Sequence, residues 1–67
     1  MAKTYGFRFA GRLPEQDREA FCDMDIVELP PETLLYGPVI DESHLHGIIA
    51  QLRALGITVN SVHPVDP

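Results

Sequence analysis

The sequence predicts an α+β domain: about four mainly antiparallel strands forming a sheet, with one long helix packed on it. Three observations carry this expectation. Residues 41–55 place apolar side chains at helical spacing between a strong start signal and a strong stop signal. Tyr5, Phe7 and Phe9 alternate with Gly6, Arg8 and Ala10, the period of a strand. Glycines and prolines divide the remainder into short β-prone runs.

Taken in order, Thr4 to Arg12 reads as a strand with an aromatic, buried side and a wetter side. Leu13 keeps the parity of the aromatics. Pro14 suits a first helical position because its missing N–H would be unbonded there anyway, and Glu15 and Asp17 follow where negative charge favours the helix dipole. Residues 14–21 are therefore expected to form a short helical turn with Phe21 as its main apolar anchor. Asp25 to Leu29 is a short strand, ended by Pro30 and Pro31, which remove two donors. Thr33 to Tyr36 resumes a strand that Gly37-Pro38 is expected to stop, giving a hairpin with an irregular connection.

The helix over 41–55 is specified at both ends. Asp41 is a good N-cap, Ile40 and Leu45 are spaced for a hydrophobic staple, and Gly56 suits the left-handed position of a Schellman stop with Ile57 against Leu52. Leu45, Ile48, Ile49, Leu52 and Leu55 share one face. Ile57 to His63 forms the last strand. Its Val59 and Val62 differ in parity, which points to cover on both faces. The tail from Val65 to Pro67 should fray.

The resulting β-α-β-β-α-β order is that of the split βαβ, ferredoxin-like arrangement. The slight first helix makes a truncated relative, a four-stranded sheet with one real helix, the competing architecture. Either way one long helix cannot cover both faces of the sheet, so the bare face should be shielded by a second copy or a partner.

With 67 residues the chain is expected to be a single small domain, 1–67. A domain this small buries only about 60% of its unfolded surface. Its one cysteine, Cys22, excludes an internal disulfide, leaving association, a partner or a metal to supplement the core. Ten acidic residues against five basic ones argue against nucleic-acid binding. Tyr5, Phe7 and Phe9 therefore read as core rather than as a base-stacking platform. No apolar run reaches membrane-spanning length and no secretory leader is visible, so a cytoplasmic setting is expected.

The stretch from Glu32 to Val62 carries Thr33, Leu35, Gly37, Val39 and Asp41, then Leu45-His46-Gly47, then Leu52, Arg53, Leu55 and Gly56, and closes on Ser61-Val62. This spacing resembles a group of small uncharacterised proteins of high-GC Gram-positive bacteria with a T-x-L-x-G-x-V-x-D, L-H-G, L-R-x-L-G pattern. The resemblance spans about half the chain and implies a shared fold. It assigns no activity. The N-terminal part is similar to that group only at Gly11 to Glu15.

Among candidate sites, the helix carries a second face of small residues, Gly47, Ala50 and Ala54, flanked by His46 and Gln51. An interior glycine costs about 1 kcal/mol against alanine, so Gly47 invites close approach by a partner. These five residues are the expected interface. His44, His46 and His63 are the candidates for a ligand cleft. His44 and His46 lie two apart on a helix and point to different sides, unlike the four-residue spacing of a zinc pair, and no metal or other cofactor is expected. No catalytic residue is assigned. Cys22 lies beside Asp23, the opposite of the cationic setting that activates a thiolate.

The functional expectation is a small non-catalytic interaction or oligomerisation module, homodimeric or docked on another protein, in an accessory or regulatory role. The alternatives are a small-molecule binder or minor enzyme with a cleft near His44, His46 and His63, and an acidic regulator of a basic partner. Glu15, Asp17, Glu19, Asp23, Asp25, Glu28 and Glu32 supply the acidity of the last.

Overall fold

A computed structural model describes residues 2–65 of the chain. The elements are β1 (Lys3–Ala10), a 3-10 segment (Glu15–Phe21), β2 (Asp25–Leu29), β3 (Glu32–Val39), α1 (Glu42–Ala54) and β4 (Val59–Pro64). The strands form one sheet in the order β2-β3-β1-β4, and every neighbouring pair is antiparallel. The chain thus builds an α+β arrangement of an open four-stranded sheet and one long helix. No helix among the described residues is long and apolar enough to cross a membrane.

Phe7 and Phe9 are fully buried on β1, with Leu35 beside Phe7 on β3, and Ile48 and Leu52 of α1 join them in one core cluster. Leu13, Phe21 and Val39 complete this buried cluster. Helix and 3-10 segment therefore pack on the same side of the sheet. Thr33, the one buried polar residue among the described residues, sits on that side and satisfies itself by donating its hydroxyl to the Gly11 carbonyl at 2.5 Å. Gly11 needs a positive φ of 85° to make this corner.

The helix ends are built as their residues dictate. The Asp41 carboxylate accepts from the His44 backbone N–H at 2.9 Å. At the other end Gly56 adopts φ 81°, with Gly56 N–H donating to Arg53 O and Ile57 N–H donating to Leu52 O, the two bonds of a Schellman stop. The expected staple does not form: Ile40 is 70% exposed. Its N–H instead donates to His44 Nδ1 at 3.1 Å.

Other expectations change in instructive ways. Residues 15–21 wind as a 3-10 helix because Pro14 brings no side-chain cap and Phe21 alone is buried within the segment. The hairpin connection is a two-residue turn, Pro30-Pro31 with a cis peptide bond, directly joining the paired Leu29 and Glu32. Strand β3 does not stop at Gly37-Pro38 but runs to Val39. Beyond the Asp25–Tyr36 pair it has a neighbour only on the β1 side, where a proline lacking its donor is tolerated.

The parity break in the last strand is a bulge rather than two-sided cover. Phe9 pairs with Val59 and Arg8 with Ser61, so Asn60 is the extra residue. The shift puts Val62 opposite Phe7, on the same side as Val59. Val65 is tied down by its N–H, which donates to Thr4 O at 2.8 Å. Asp66 and Pro67, the rest of the tail expected to fray, lie outside the described residues.

Candidate functional site

Both crossovers lie over one face of the sheet, so among the described residues no element covers the opposite, bare face. Paired residues share a face. The bare side therefore carries the rows Asp25, Tyr36, Gly6, His63 and Val27, Leu34, Arg8, Ser61, with Leu29, Glu32 and Ala10 beyond them. Val27, Leu34, Tyr36 and Val65 are only partly buried there, and Leu29 is 50% exposed. Gly6 makes the middle of this face flat. A Cβ at Gly6 would stand 3.0 Å from Val65 Cγ2 and 3.3 Å from Leu34 Cδ1, so those two side chains lean over the glycine from either side. The result is an apolar floor over β2 and β3 that continues across Gly6 to Val65.

Charges border that floor. Arg8 projects from it and makes no ion pair among the described residues. Asp25 and Glu32 stand at its margin, Glu32 accepting only from the neutral Asn60 amide at 3.2 Å. The ion pairs that do form lie on the helix side, where Glu28 receives Arg12 Nε at 2.6 Å and Arg18 Nη2 at 3.4 Å. The hydrogen bond from Arg12 holds the Glu28 carboxyl below its ordinary value of 4.5. A depression of about 520 Å³ opens against this cluster. Its two guanidiniums face two carboxylates, Glu15 and Glu28, so it offers no net charge to a ligand ion.

The residues singled out on the helix remain at its outer surface. His46, Gly47, Ala50, Gln51 and Ala54 are all exposed, and a Cβ at Gly47 would meet nothing within 4 Å. Gly47 and Gln51 join His44 along a shallow cleft against Phe21 and Met24, with a volume of about 240 Å³. Small-molecule pockets run from about 300 to 1,000 Å³, so this groove is too small for one.

The three histidines do not converge. His44 spends its Nδ1 on the Ile40 N–H beside the helix start. His63 pairs with Gly6 on the bare face, on the opposite side of the sheet from α1. A cleft uniting His44, His46 and His63 is therefore not formed. Among the described residues no group of three or more His, Cys, Asp or Glu side chains is placed to hold a metal ion. Cys22 is exposed, with Sγ 3.8 Å from the Asp23 carboxylate.

The sequence did carry a signal for the bare face. Leu34 and Leu35 are adjacent, as are Ile26 and Val27, so β2 and β3 present apolar residues at both parities. One-sided strands alternate instead. A family model described as a domain of unknown function (DUF8691) matches residues 4–63. No curated protein and no solved structure matches the chain.

Proposed function

We propose that this chain, which belongs to that family of domains of unknown function, is a non-catalytic protein-association module whose docking surface is the bare face of its sheet. One observation carries the reading. All the large buried side chains sit on the helix side, while Val27, Leu29, Leu34, Tyr36 and Val65 remain partly or half exposed on the other. A contiguous apolar patch rimmed by charge marks a contact site. The separation of His44 from His63 and the small volume of the cleft beside His44 speak against a ligand site built on the histidines.

We also read the architecture as a reduced ferredoxin-like fold. The support is topological: β1 and β2 are both antiparallel to the β3 strand between them, and β3 and β4 are both antiparallel to the intervening β1. The first crossover is shortened to one 3-10 segment. The outer face of α1, with Gly47, Ala50 and Ala54, is the lesser surface because its small side chains offer little area to bury.

The test compares Leu34→Glu on the sheet with Ala50→Arg on the helix, each checked by circular dichroism for an intact fold. Immobilised wild-type chain should retain a bound protein, itself or another, that Leu34→Glu loses and Ala50→Arg keeps. Loss with Ala50→Arg alone would move the site to the helix. Retention by both variants would overturn the reading.

A further inference from the structure

We infer that the occupant of the bare face is a second copy of the chain, packed sheet to sheet about a two-fold axis. The inference rests on the bare face being the docking surface, and adds the identity of what covers it. Size comes first. Strands of eight, five, eight and six residues, rising about 3.3 Å per residue and lying about 4.8 Å apart, give a flat area of about 430 Å². A specific interface needs about 1,000 Å² counted over both partners. The whole face must therefore be used, and a peptide or single loop laid on part of it falls short. The fitting partner is a surface as broad and flat as the sheet itself, packed about 10 Å away. Gly6, with Leu34 and Val65 leaning over it, supplies that flatness on both sides of a self-complementary pair.

Charge is the second argument. A two-fold axis lying between the sheets, parallel to the strands and between β3 and β1, lays β1 of each copy over β3 of the other. Arg8 pairs with Leu34 in its own sheet, and Glu32 lies two residues from Leu34 along β3. In the pair, each Arg8 stands above the second copy's Leu34 and within one side-chain length of its Glu32. The cation that has no ion-pair partner among the described residues gains one, twice over. An axis perpendicular to the strands through the Arg8 row would oppose the two guanidiniums, and charge disfavours it.

Sedimentation equilibrium and native mass spectrometry on the full chain test this. The wild type should show twice the chain mass with concentration-dependent dissociation. Leu34→Glu should be monomeric. Arg8→Glu should weaken the pair by about tenfold or more, and Arg8→Glu with Glu32→Arg should restore most of that loss. Ala50→Arg should leave the mass unchanged. The double charge swap keeps the test open if Leu34→Glu fails to fold, because both its sites are on the sheet surface. A wild type that stays monomeric at high concentration, yet retains another protein in a Leu34-dependent way, overturns the second copy and leaves the association reading standing. A dimer broken by Ala50→Arg and untouched by Leu34→Glu overturns both.

Discussion

The same substitution at two glycines should change stability in opposite directions. Gly37 lies on the helix side of β3, where an added Cβ would stand 2.8 Å from Met24 Cγ and 3.0 Å from both Met24 Cα and Cβ. Ordinary carbon contacts are about 3.5–4.0 Å. Rotating the methionine side chain cannot relieve the contact with its Cα, and Met24 is held in place by its N–H donating to Phe21 O at 2.9 Å. Gly37→Ala must therefore push the end of the 3-10 segment off the sheet, at a cost of about 1–3 kcal/mol. Gly47 is the counterpart. It is exposed, meets nothing at the Cβ position, and sits inside α1. Gly47→Ala should stabilise by about 1 kcal/mol through helix propensity alone. For a domain of this size each kcal/mol moves Tm by about 4–8 °C. Thermal and urea unfolding of both variants at one protein concentration would read the split. Adding Met24→Ala to Gly37→Ala should recover only part of the loss. Full recovery, or a Gly37→Ala chain as stable as the parent, would refute the claim that backbone crowding sets this position.

Two further outcomes follow from the hydrogen bonds. Thr33→Val keeps the shape of a buried side chain but removes the donor to the Gly11 carbonyl. It should lower stability by about 1–2 kcal/mol in urea titration, and no change would mean the corner is held by Gly11 and Pro31 alone. Glu28 has a depressed carboxyl pKa in the folded chain, chiefly through the Arg12 hydrogen bond. Its contribution is therefore complete above the ordinary value of 4.5 and is lost as pH falls through the lower folded value. The stability difference between the parent and Glu28→Gln should shrink as urea midpoints are taken from neutrality down to about pH 3. A difference that stays constant with pH would show that the ion pairs add nothing.

What could be read from the sequence was what neighbouring residues settle among themselves. Asp41 and Gly56 satisfy backbone groups within a turn of the helix they bound, so both ends were legible. The alternation of Tyr5, Phe7 and Phe9 likewise placed the core side of β1 without reference to any partner. The bulge at Asn60 belongs instead to the register between β1 and β4, segments some fifty residues apart, and left only a parity break as its trace. Pro38 looked like a strand breaker because the length of β2, which decides whether its missing donor matters, is not a local property. The uncovered face was foreseen in kind, since one helix cannot cover two faces. Its composition was not, because it depends on both crossovers packing on the same side, the outcome that handedness favours. Gly47 is the sequence's signal for the helix surface, and the adjacent Leu34 and Leu35 are its signal for the bare face.

The character of the bare face bears on what kind of association it supports. A face destined for permanent burial resembles half of a domain core. Here Arg8, Asp25, Glu32 and His63 share the surface with Leu34 and Tyr36, a mixture closer to that of a reversible interface. The helix side already holds eight buried apolar residues in one cluster, with Thr33 satisfied within the fold. The single chain therefore has its own core, and the proposed association would add to stability without being needed to create the fold. The same charges also oppose indiscriminate sheet stacking, because any register that fails to set Arg8 against a carboxylate leaves it against apolar or like-charged surface. A single arginine beside Leu34 and Val27 thus limits the ways two such sheets can meet.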